Sequence, residues 1–258
     1  VSWAAALPAG LLAALLVPAA ARADEAPADA ADSAPAWKLT LGRYRLRSAD
    51  GPATDGTDLN LRWRRDDRTL WLGVYRDGDF GRQWRAGWDD HWALPTLPGF
   101  SDAAQPQLLP SLQLASGGFV GGSLAVQAGA PVFVQLGIAR TNLRPYANLN
   151  FDPNDALMLS VGWQGAGDRQ LSLSVIADDR LHTDQQHHHL TLRWPLAPGW
   201  RLSADLLHKQ GQGDTGTVRA WGQSLGLDAP RWFVRLAHDP YQNFSAANAW
   251  RLSGGVRF

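Results

Sequence analysis

The closing stretch Trp250-Arg-Leu-Ser-Gly-Gly-Val-Arg-Phe258 puts Trp250, Leu252, Val256 and Phe258 on one parity and Arg251, Ser253, Gly255 and Arg257 on the other. Alternate residues of a β-strand share a face, so this strand has one apolar face and one polar face. The polar face carries two guanidiniums, which an ordinary hydrophobic core cannot hold without partners. Lipid on the apolar side and a polar interior on the other satisfy both faces.

Working outward from that strand, the same alternation recurs at 38–46, 57–65, 69–76, 81–89, 108–115, 119–128, 131–139, 147–163, 169–178, 187–194, 200–208, 217–227, 232–238 and 248–258. The outward parity gathers Leu59, Leu61 and Trp63; Leu70, Leu72 and Val74; Leu171, Leu173 and Val175; Leu190, Leu192 and Trp194. A soluble sandwich also alternates, but it places its aliphatic faces inside and water outside. Runs of about eight to eleven residues match a tilted strand crossing a bilayer. Closure is then required, because an open edge in lipid leaves backbone groups unpaired. The expected fold is therefore all-β, a closed antiparallel transmembrane barrel of about 14 strands over residues 37–258.

The ending also resembles the C-terminal signature of bacterial outer-membrane β-barrel proteins. Phe258 supplies the final aromatic and Val256 the hydrophobic residue two before it, while Ser253 stands where that signature has Gly. The resemblance implies outer-membrane residence in a Gram-negative cell, with outer-membrane lipid, lipopolysaccharide and the barrel-assembly machinery as partners. It marks a class rather than an activity.

At the other end, residues 1–23 are apolar and close on Ala21-Arg22-Ala23, the pattern of a secretory signal peptide cut before Asp24. Residues 24–36 form an Ala/Asp/Pro run without periodicity, expected to be a disordered periplasmic leader. Connections at 66–67, 129–130, 165–168, 195–199 and 228–230 are short, whereas those at 48–56, 179–186, 209–216 and 239–247 are longer and polar. This asymmetry predicts periplasmic turns and external loops. The connection 90–107 fits neither set; it either folds into the lumen or lowers the strand count to 12.

Composition removes several function classes. The chain has no Cys, so neither disulfides nor thiol chemistry arises. Twenty-four basic residues balance 24 acidic ones, which excludes the field that nucleic acid would require. Lys38 and Lys209 are the only lysines and Glu25 the only glutamate, so the material of exposed soluble helices is missing. The 13 Trp suit membrane interfaces, and Trp63, Trp163, Trp194, Trp200 and Trp232 at run ends predict an outward girdle near the periplasmic rim.

The inward parity then holds the candidate chemistry. Arg62, Arg64, Arg85, Arg193, Arg201, Asp205, Arg235 and Arg251 are the expected pore lining, and fixed guanidinium charge favours anions. Replacing Arg193 and Arg201 together is expected to shift selectivity toward cations. Asn148, Asn150, Asp152 and Asn154 form a candidate substrate-binding column near the outer mouth; the same run lacks the Gly and acid of a calcium loop. His187 and His189 share one face and are a candidate metal pair, with His189 expected opposite Asp205 and Trp194 opposite Trp200. Catalysis would need a nucleophile beside a base, and His238-Asp239 with Ser245, or Asp179 with His182, are the combinations available.

The leading expectation is an outer-membrane channel for passive diffusion of small polar or anionic solutes, with no cofactor. A lipid-modifying hydrolase or acyltransferase is the first alternative. A structural or partner-binding barrel with a filled lumen is the second.

Overall fold

The alternation becomes a wall. The computed structural model describes residues 36–48, 51–147, 155–178 and 180–258. The described strand segments are β1 (Trp37–Ser48), β2 (Thr54–Arg65), β3 (Arg68–Asp77), β4 (Gly81–Asp89), β5 (Trp92–Ala93), β6 (Gln107–Ala115), β7 (Phe119–Ala128), β8 (Val132–Thr141), β9 (Asp155–Gly165), β10 (Arg169–Asp178), β11 (Gln185–Ala197), β12 (Trp200–Gly213), β13 (Gly216–Asp228), β14 (Trp232–Asp239) and β15 (Ala247–Arg257). Consecutive strands pair antiparallel except β4 and β5, which both pair with β6, and β1 pairs with β15 to close the ring. The closing seam runs to the last residue, since Trp37 and Phe258 exchange backbone hydrogen bonds of 2.9 and 3.0 Å.

The wall has fourteen staves because β5 continues β4. Asp89 opposes Ser111, Trp92 opposes Leu108 and Ala93 opposes Gln107 in one unbroken register. Pro110 faces the gap, and it has no N–H to return the bond that Asp90 N donates to its carbonyl at 3.2 Å. The two ends of the connection 90–107 thus extend the wall as a hairpin, closed by a loop with a 3-10 turn at Asp102–Ala104. Leu94 N still donates to Pro106 O at 3.1 Å, and Gly129 N ties the neighbouring turn to Ala104 O at 3.0 Å. Neither the lumenal excursion nor the count of 12 holds.

We call the end bearing Trp37 and Phe258 the near rim and the opposite end the far rim. Leu41, Leu59, Leu72, Leu173 and Leu252 are among the most exposed large side chains, whereas Gln135, Ser160, Ser172, Ser174 and Arg193 are buried. Apolar side chains therefore point outward and polar ones inward, as a barrel in lipid requires. Trp163, Trp194, Trp200 and Trp232 are exposed near the near rim, with Trp63 beside Trp37. Trp84, Trp221 and Trp250 form a second outward set toward the far rim.

Three local expectations change. Of the run 147–163, the described strand is Asp155–Gly165, with residues 148–154 outside the described residues. The hairpin of β12 and β13 extends to Gly213 opposite Gly216, replacing most of the loop at 209–216. There Gln and Gly alternate with little apolar signal, but backbone pairing sustains the ladder and Phe244, packed on Val218, covers its inner face. Finally, β11 and β12 pair two residues away from the expected register. Trp194 opposes Leu202, Arg193 opposes Ser203 and His189 opposes Leu207, because an irregularity between Pro195 and Ala197 takes up residues in the turn.

Candidate lumenal site

Strand parity alone carries Arg62, Arg64, Arg85, Arg193, Arg201, Asp205, Arg235 and Arg251 to the inner face, opposite the exposed aliphatics of the same strands. They then divide by what surrounds them. Arg85, Arg193 and Arg201 are buried. Arg85 pairs with Asp58 and donates from Nη1 to Ala147 O at 2.6 Å. Arg201 donates to Asp168 at 2.5 Å and lies 3.5 Å from Asp228, which also pairs with Arg257. This near-rim cluster neutralises guanidiniums that parity alone would assign to the pore. Arg201 is consequently packed structure rather than open pore wall, and Arg193 is likewise buried, which removes the basis for choosing them to set selectivity.

Arg62, Arg64, Arg235 and Arg251 remain half-buried on the inner face. Arg235 is on β14, Arg251 on β15 and Arg62 and Arg64 on β2, with β1 lying between β15 and β2. Arg62 stands opposite Lys38 near the near rim, Arg235 opposite Ser253 further in, and Arg251 opposite Tyr44, whose ring centroid lies 6.0 Å from the Arg251 guanidinium. The result is a lengthwise column of cations on one side of the interior.

The far half is narrowed from two directions. After β8 the chain turns inward. Tyr146 stacks on Phe119 with centroids 4.2 Å apart, Gln83 bonds Pro145 O at 2.9 Å and Ala147 N at 2.8 Å, and Ala147 packs with Tyr44 and Tyr75. Since Tyr44 belongs to β1, nearly half the ring from β8, this segment reaches across the interior. Asn148, Asn150, Asp152 and Asn154 lie outside the described residues. From the other side, Phe244 of the β14–β15 connection is buried against Ala156, Met158, Ile176 and Val218. Lys209 is fully buried beneath it, paired with Asp239 and donating to Tyr241 O at 3.2 Å.

The histidines fit this packing. His187 stacks on Phe244 at 5.5 Å and meets His189 edge-on at 5.7 Å. Asp205 is satisfied by His189 Nδ1 at 3.0 Å and by the Thr191 hydroxyl at 2.9 Å. Among the described residues no group of three or more His, Cys, Asp or Glu side chains converges as metal ligands do. The catalytic combinations also separate. His238 faces outward, stacked on Trp250 at 4.4 Å, whereas its neighbour Asp239 points inward to Lys209. Ser245 bonds Gln242 O at 2.7 Å. His182 lies in a turn with φ 55°, and Asp179 is outside the described residues.

Sequence reading missed the neutralising partners Asp58, Asp168, Asp228 and Asp239, and the inward position of Tyr146 and Phe244. Inward parity was available for Asp58, Asp228 and Asp239. The loop residues offer no period to read.

No protein-family model matches the chain, and no curated protein matches it in sequence. Among solved structures, the outer membrane protein Omp33 of Acinetobacter baumannii is similar with a TM-score of 0.50 and 11% identity, over 87% of this chain and 98% of that one. NanC porin has a TM-score of 0.44 and 9% identity, over 85% of this chain and 100% of that one. KdgM porin gives 0.43 and 10%, over 85% and 99%. The likeness to Omp33 is one of fold, a closed β-barrel found in an outer-membrane protein.

Proposed function

We propose that this chain is an outer-membrane channel for passive diffusion of small polar solutes, with anions favoured. The observation that carries this reading is the column of half-buried inward guanidiniums Arg62, Arg64, Arg235 and Arg251, running from the near rim to the level of Tyr44. Arginine keeps its charge at any workable pH, and a cationic wall raises the local concentration of anions. Fourteen staves give more internal width than the eight-stranded barrels that side chains fill. The near rim, with its mostly short turns, is assigned to the periplasm and the far rim to the outside.

Conductance across planar bilayers tests the proposal. The purified protein should give discrete, anion-leaning channels, and replacing Arg62, Arg235 and Arg251 together by Ser should move the reversal potential toward cation preference. Channels with unchanged selectivity would remove the role of the arginine column. A folded barrel that conducts nothing would favour the filled-lumen reading, which draws on Phe244 and the 142–147 segment packed inside the wall.

A further inference from the structure

The outer face of β1 to β4 changes character in one step. Leu41, Leu59, Val74 and Trp84 form one cross-strand row, and the next outward row toward the far rim is Arg43, Thr57, Arg76 and Arg82. Arg45 and Arg47 continue it on β1. All five arginines are exposed, and Asp55 is the acidic side chain that shares their outward face among the described residues of β1 to β4. Asp55 lies 3.8 Å from Arg43 and 3.9 Å from Arg45, too far for it to hold either tightly. Arg82 lies over the Trp84 ring at 4.8 Å, and Arg43 donates to Thr57 at 3.3 Å. Beneath the guanidiniums is a groove of about 350 Å³ lined by Arg43, Asp55, Thr57, Arg76, Asp77 and Gly78.

The belt is densest in this sector, since Arg140 of β8 and Arg219 of β13, also exposed and outward at the far end, each stand as one arginine on its strand's outer face. At the corresponding boundary on β13 to β15 the outward residues include Trp221, His238 and Trp250. An arginine is expensive in the hydrocarbon centre but nearly free at the interface, so the step from leucine to arginine marks headgroup level. Five guanidiniums against Asp55 on the outer face and Asp77 in the groove lining leave an excess of positive charge there, in forks suited to bidentate phosphate contact. The apolar row immediately below offers Leu41, Leu59, Val74 and Trp84 to acyl chains, which a soluble anion would not use. A second copy of this chain would bring like charges together about a two-fold axis.

We infer that the far-rim sector of β1 to β4 is a binding site for a phosphorylated membrane glycolipid, with phosphate held by Arg43, Arg76 and Arg82 over the groove and acyl chains on the leucine row. The site lies on the outer face, so it is independent of the lumen and of the channel reading. The probe is bis-phosphorylated lipid A, added to the detergent-purified full chain and quantified as retained lipid by native mass spectrometry, with its dephosphorylated form as control. Wild-type protein should retain the phosphorylated form preferentially. Interfacial attraction changes roughly fivefold in affinity per cationic side chain, so Arg43→Gln, Arg76→Gln and Arg82→Gln combined should weaken retention by well over tenfold. Asp55→Asn, which removes the competing carboxylate, should strengthen it severalfold and reads the site even if the triple variant fails to fold. Equal retention of both lipid forms, an unaltered triple variant, an unaltered Asp55→Asn protein, or displacement by excess inorganic phosphate would each overturn the inference.

Discussion

Residues of one type have opposite fates in this barrel. Arg201 is held between Asp168 and Asp228, whereas Arg235 remains half-buried. Removing one member of a buried ionic cluster leaves charge uncompensated and costs about 3 kcal/mol. Arg201→Ser is therefore expected to lower the urea midpoint of the refolded barrel markedly, and Arg235→Ser to change it by under about 1 kcal/mol. Asp90 offers a pH test outside the spanning strands. Burial alone would raise its carboxyl pKa, but hydrogen bonds from Arg68 at 2.9 Å and from the His91 amide at 2.9 Å hold it below its ordinary value. A carboxyl lowered on folding contributes stability above its unfolded pKa of about 3.9 and loses it as pH falls through the folded value. Amide exchange over 90–106, corrected for intrinsic rates, should accelerate in that acidic window, and Asp90→Asn should abolish the pH dependence.

Elements are fitted together by aromatic rings laid over inward glycines. Phe133 of β8 covers Gly162 of β9, where a Cβ would meet the ring at 2.4 Å and the Leu171 carbonyl at 2.9 Å. Phe133 is itself buried, so the ring has no free direction in which to yield. Gly162→Ala should destabilise by about 1–3 kcal/mol through overpacking, read as a shifted urea midpoint, with partial recovery on adding Phe133→Leu. Parity reading predicted that these strands exist and which way they face. It could not see the ring-over-glycine pairs, because these depend on register between strands, and a residue count cannot supply register where a bulge intervenes, as at Pro195 and Ala197.

For the whole molecule, passage depends on what occupies the far half of the interior. The 142–147 segment is pinned by Gln83 through two hydrogen bonds to Pro145 and Ala147. Gln83→Ala leaves the stave in place and removes both of these bonds, leaving the one from Arg85 Nη1 to Ala147 O and loosening the clamp. If the chain conducts, the variant should show a larger single-channel conductance with the same sign of selectivity, since the arginine column is untouched. An unchanged conductance would place the narrowest point elsewhere.

The sequence by itself determined the all-β class and the direction of the side chains along most strands, because a bilayer imposes period-two alternation on every strand that crosses it, while the choice between 14 and 12 staves waited for the pairing of β4 and β5 with β6. Leu59, Leu173 and Leu252 outward, with Arg85, Arg193 and Arg251 inward, were all legible from that rule. Only the tertiary structure decided which inward arginines are buried against carboxylates and which stay half-buried on the inner face. Arg201 meets Asp168 from a turn 33 positions away, and Arg85 meets a carbonyl 62 positions away, across the barrel. Alternation is a local property of a strand in lipid, whereas charge pairing depends on distances that exist only once the sheet has closed.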